Sequence, residues 1–152
     1  MISKIDNWLL RISGLLLLMA GVLKLISVFT KVAYLHQPNP VLTFVTNKTV
    51  LLLAANLEIG IAAIILVYPA SWVARYGLLA LCITFGVYRF GLWLLLVHQP
   101  CPCLGRASDW LHLTPYQVDR LAFWILGILT ATGVFSVSHF ERTMAGSRKN
   151  AL

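Results

Sequence analysis

Charge is what this chain has least of. Only 11% of its 152 residues are charged, five of them acidic, against 59% hydrophobic and a mean hydropathy of +0.83. So little charge excludes an ordinary water-soluble domain of this length. Cysteine is also scarce, with three in all, too few for a disulfide-built scaffold. The net charge of +7 is spread along the chain, with no basic block interleaved with aromatics. That pattern fits topology and lipid-headgroup contact, with no nucleic acid as partner.

What remains is apolar run. Four stretches, Trp8 to Phe29 (8–29), Thr49 to Tyr68 (49–68), Trp72 to Val97 (72–97) and Tyr116 to Val137 (116–137), approach or exceed the roughly 20 residues that cross a bilayer as a helix. The expected fold is all-α: a polytopic four-transmembrane-helix bundle, one membrane domain over 1–152, with the lipid bilayer as its solvent. Lys4 and Arg11 flank the first run in the manner of a secretory signal. That run continues through Lys24 to Phe29, past the roughly 7 to 15 residues of a signal's apolar region, so it is read as helix one.

With the N terminus inside, Lys4, Arg11, Arg75, Arg142, Arg148 and Lys149 fall in the cytoplasm, and Lys31, Lys48, Arg106 and Arg120 outside. Six against four follows the positive-inside tendency. It predicts an N-in/C-in protein whose loop 98–115 is extracytoplasmic.

That loop contains Gln99-Pro100-Cys101-Pro102-Cys103-Leu104-Gly105. Thiols react as thiolates where partners can reach them, so a pair in a Pro/Gly-rich loop points to redox or metal chemistry. A bridge between positions i and i+2 requires a bend, since extended backbone points the two side chains apart. Pro102 holds its own φ near −65° and Gly105 relaxes the exit, so a Cys101–Cys103 bridge is feasible but strained. Strain makes a disulfide easier to reduce, hence more oxidising. The plain alternative is a fixed staple, although one closing so short a loop constrains the unfolded chain little.

Other polar residues sit inside the runs. Gly14, Gly21 and Lys24 share a face of helix one, so Lys24 either meets protein or snorkels, the outer end being only about 7.5 Å away. Glu58 lies about 13 Å below the proposed outer surface, where an ionised carboxylate needs a partner. Arg89 lies at a similar depth on helix three, on a stripe with Cys82, Gly86 and Trp93. A Glu58–Arg89 ion pair is therefore expected, tuning the site or only fixing helix register. Cys82 reads as a small packing residue, and Asn56 points away from Glu58, toward lipid or another subunit. His36-Gln37-Pro38-Asn39-Pro40 and His98-Gln99-Pro100-Cys101-Pro102 match at four of five positions, which either records a duplicated hairpin or reflects chance among proline-rich loops. Thr114-Pro115-Tyr116-Gln117 reads as a helix start with a capping box, and the tail from Ser138 is expected to fray.

Four spans, Gly21 with Lys24-Leu25, Glu58, and Cys101-Pro102-Cys103-Leu104-Gly105 together resemble the DoxX/MauE group of redox-associated membrane proteins, over roughly Trp8 to Val137. The resemblance implies a four-helix bundle of the bacterial cytoplasmic (inner) membrane working with an extracytoplasmic thioredoxin-like protein or quinone. The MauE branch is linked to maturation of a disulfide-rich enzyme subunit. The arrangement is also similar to disulfide-forming quinone reductases of the DsbB and vitamin K epoxide reductase type, from which it departs by having one outer cysteine pair. The leading expectation is a thiol-disulfide oxidoreductase: Cys101 and Cys103 exchange electrons, with Glu58, Arg89 and Lys24 as buried tuning groups and any quinone near Glu58, Arg89 and Trp93. A second is Zn or Cu binding by His98, Cys101, Cys103 and His112, two nitrogens and two sulfurs. A third is a non-catalytic accessory subunit of a larger membrane complex.

Overall fold

The structure is a computed structural model describing residues 2–29, 33–95 and 114–149; the side chains of 2–4, 33, 34, 115, 118, 119, 143 and 146–149 are not described. Four long helices carry it: α1 (Ile2–Val28), α2 (Asn47–Val67), α3 (Trp72–Leu94) and α4 (Pro115–Lys149). A short 3-10 helix, Ala33–His36, follows α1. Each long helix includes a stretch long and apolar enough to cross a membrane: Ile5–Val28, Asn47–Val67, Trp72–Leu94 and Arg120–Arg142.

Side-chain chemistry sets where these helices start. The Thr46 hydroxyl accepts from Thr49 N at the head of α2, and Ser71 accepts from Ala74 N at the head of α3. At α4 the expected capping box is present: Gln117 N donates to the Thr114 hydroxyl, and Thr114 N donates to Gln117 Oε1 at 2.9 Å. Between α2 and α3 the chain reverses over Tyr68–Ser71, Ser71 N donating to Tyr68 O at 3.0 Å.

Neighbouring helices run antiparallel and close a ring, α1 on α2, α2 on α3, α3 on α4 and α4 back on α1. The shared core is Leu10, Leu17, Ala62, Ile65, Ala74, Leu78, Leu81, Cys82 and Leu129. Packing of α1 on α2 is closest, because helix one presents small residues there. A Cβ on Gly21 would lie 2.7 Å from Ile59 Cγ1 and 3.1 Å from Ala55 O, so the approach requires glycine. Only 17% to 33% of each spanning stretch is buried; the remaining apolar surface faces outward and suits lipid. On α3, exposed Trp72 and Trp93 are 21 residues apart, about 32 Å at helical rise, close to the roughly 30 Å of a bilayer's hydrocarbon.

Two expectations about helix limits are corrected. Helix one starts at Ile2, before Trp8, because Asp6 is drawn into the bundle to meet Arg75. Residues 138–149 continue α4 where fraying was expected. Phe140 lies under the Arg75 guanidinium and Glu141 accepts from Tyr76 Oη at 2.9 Å, so tertiary contacts hold the first turn of that polar stretch to the bundle. Helix three ends at Leu94 with Leu95 as its cap. Residues 96–113, which include most of loop 98–115, lie outside the described residues.

Candidate functional site

The site begins with two charges facing each other across the closest helix contact. Gly21 lets α1 approach α2, and Lys24, three residues on, points the same way. Glu58 on α2 lies opposite, its Cβ 3.3 Å from the Cβ that Gly21 lacks. Lys24 Nζ donates to Glu58 Oε1 in a salt bridge whose partners are 5% and 2% exposed. Lys24 therefore faces protein and does not snorkel.

The partner of Glu58 is thus Lys24, where Arg89 was expected. Depth along α3 decides it: Phe85, one turn before Arg89 on the same face, lies level with the pair, its ring 4.9 Å from Lys24 Nζ. Arg89 is half-buried, one turn nearer the end where α1 and α3 finish. The stripe Cys82, Gly86, Arg89, Trp93 turns outward as it climbs. Cys82 is buried beside Thr130, whereas Trp93 is 70% exposed and stacks on Phe90 at 5.8 Å. Trp93 thus lies on the outer surface, away from the Lys24–Glu58 pair.

Two layers cover the pair on that side. The first is apolar: Val28, Leu35 and Leu51. The second is the turn 37–46, folded around Asn39. Asn39 Oδ1 accepts from Val41 N and Leu42 N, and Asn39 Nδ2 donates to Asn47 Oδ1 at 2.9 Å and to Tyr88 Oη at 2.8 Å. Backbone bonds Asn39 N to Val45 O and Asn47 N to Gln37 O close it. Sequence reasoning missed this role for Asn39. The available signal was an asparagine between two prolines, a residue suited to bonding backbone two and three positions on.

A second buried ion pair lies at the opposite end of the bundle, also missed. Arg75 Nη2 is 3.0 Å from Asp6 Oδ2, and Arg75 Nη1 donates to Ser136 O at 3.2 Å. Arg75, counted from the sequence among the cytoplasmic charges, is 6% exposed. Asn56 is exposed on the outer face of α2 and donates to Leu52 O.

Of the expected site residues, Lys24 and Glu58 are brought together, and Arg89 and Trp93 lie nearer the end of α3. Cys101, Cys103, His98 and His112 lie outside the described residues. The described residues on either side, Leu95 and Thr114, lie at the end of the bundle toward which the Lys24–Glu58 pair lies. No group of three or more metal-ligating side chains occurs among the described residues. Glu58 Oε2 is buried with no hydrogen-bond partner, which leaves an acceptor for a proton or a donor beside a fixed positive charge. Compared with protein-family models, curated proteins and solved structures, the chain gives no significant match.

Proposed function

We propose that this is a multi-pass membrane thiol-disulfide redox protein of the DoxX/MauE type, N-in/C-in in a bacterial cytoplasmic membrane. Cys101 and Cys103 exchange electrons with an extracytoplasmic thioredoxin-like protein, in maturation or redox support of proteins outside the cell membrane. The observation that carries the reading is the Cys101-Pro102-Cys103 spacing in the segment joining two membrane-length helices.

The chemistry is dithiol-disulfide exchange. A partner thiolate attacks one sulfur of the Cys101–Cys103 disulfide, breaking that bond and forming a mixed disulfide. The partner's second thiolate then breaks the mixed disulfide. Two electrons pass from partner to Cys101 and Cys103, which take up two protons as thiols, and the partner leaves as a disulfide. A membrane quinone is the second candidate exchange partner, reoxidising the thiols and leaving as quinol. Burial of Lys24–Glu58 toward the end of the bundle where α3 ends and α4 begins supports this reading, since a cation beside an acid with a spare oxygen can bias proton movement at that end. The test is mixed-disulfide trapping. Cys103→Ser or Cys101→Ser, expressed in membranes, should accumulate a covalent, reductant-sensitive adduct with an extracytoplasmic thiol protein. If neither variant forms one and both wild-type thiols keep one state under oxidant and reductant, the redox reading fails.

A second reading, a non-catalytic accessory subunit of a larger complex, draws on Asn56, a carboxamide on the lipid-facing side of α2. It predicts a stable stoichiometric complex that tolerates serine at both Cys101 and Cys103. Zinc or copper binding by His98, Cys101, Cys103 and His112 predicts stoichiometric metal in purified protein, lost with the same serine pair.

A further inference from the structure

The ion pair at the end of the bundle where the helices begin and finish is incompletely bonded. Asp6 on α1 and Ser136 on α4 are both 0% exposed, and Arg75 on α3 is 6% exposed. Arg75 Nη2 and Asp6 Oδ2 are close enough to pair, yet off the direction of the N–H, so no hydrogen bond forms between them. Four buried polar atoms gather here without a hydrogen-bond partner: Asp6 Oδ1, Asp6 Oδ2, Arg75 Nε and Ser136 Oγ. Atoms buried in that state are costly, and natural folds rarely leave several together.

The set mixes polarity in a way that selects its ligand. Arg75 Nε can only donate, the Asp6 oxygens can only accept, and the Ser136 hydroxyl can do either. A cation would meet the guanidinium and an anion the carboxylate. A small neutral molecule that both donates and accepts suits all three residues. The guanidinium bridges Asp6 and the Ser136 carbonyl, so all three residues carrying orphaned atoms meet at Arg75, and the Phe140 ring lies 5.0 Å from Arg75 Cζ.

We propose that Asp6, Arg75 and Ser136 form an internal water site. The water accepts from Arg75 Nε–H and donates to Asp6 Oδ1 and to Ser136 Oγ, about three bonds, the usual number for a buried water. It turns a misaligned charge pair into a bonded junction of α1, α3 and α4. The site is independent of Lys24–Glu58: Asp6 and Lys24 are 18 residues apart on α1, about 27 Å along its axis, with Leu10 and Leu17 of the core between them.

The test is a structure of the full chain in lipid nanodiscs at a resolution that shows ordered water. The expected result is a density peak about 2.7 to 3.2 Å from Arg75 Nε, Asp6 Oδ1 and Ser136 Oγ. Asp6 turned to bond Arg75 Nε and Nη2 directly, with no peak between them, overturns the proposal. Ser136→Ala, which removes only the hydroxyl, should weaken or abolish the peak. An unchanged peak in that variant removes Ser136 from the site and overturns the three-residue assignment.

Discussion

At the residue scale, the bundle depends on charges that must be matched in an interior with no water to solvate them. Removing Lys24 strands the Glu58 carboxylate at 2% exposure. Lys24→Met should therefore cost about 3–5 kcal/mol, whereas Lys24→Met with Glu58→Leu, which removes both charges, should recover most of that loss. Reversible unfolding in mixed micelles measures both; a double variant as unstable as the single one contradicts the account. Glycine gives an opposite pair of signs. Gly21→Ala drives a Cβ to within 2.7 Å of Ile59 and should destabilise by about 1–3 kcal/mol. Gly60→Ala, with nothing within 4 Å, should stabilise by about 0.5–1 kcal/mol through helix propensity. That Lys24 and Glu58 need buried partners is readable from sequence, since both interrupt apolar runs. Which partner each takes is not, because one turn of axial offset between neighbouring helices decides whether Phe85 or Arg89 lies level with the pair.

At the element scale, polar residues at helix ends decide how the spans are joined. The capping box at Thr114 and Gln117 is legible because its two bonds are local, set by a three-residue spacing. Asn39 is illegible for the opposite reason: its partners Asn47 and Tyr88 lie 8 and 49 positions away. Asn39→Ala removes the donor to Asn47 Oδ1 and the acceptor of the Val41 and Leu42 N–H groups, at roughly 1–3 kcal/mol for a buried group left unmade. The expected outcome is faster amide exchange across 37–46 with little change in the middle of α2. Uniform exchange in wild type and variant contradicts the role given to Asn39. The polar stretch after Ser138 looked like a fraying tail because its composition resembles one. The order of its first turn is tertiary, supplied by Arg75 over Phe140 and by Tyr76 bonded to Glu141.

At the scale of the whole molecule, four antiparallel apolar helices with outward aromatic residues make a bundle whose outer surface suits lipid. Span number and helical class were plain from run length, which is the property that bilayer thickness constrains. Asp6 and Arg75 were not, because a charge near the end of a span reads equally as a headgroup contact; their pairing takes Arg75 out of the six charges counted as cytoplasmic and leaves five against four. Orientation and thiol chemistry therefore stand or fall together. Both are tested most directly by labelling intact bacterial spheroplasts with a membrane-impermeant maleimide, using Cys82→Ala so that only Cys101 and Cys103 can react, with and without prior reductant. The account predicts labelling from outside after reduction and its loss after oxidation. Labelling only once the membrane is broken, or labelling indifferent to oxidant, contradicts an extracytoplasmic redox pair.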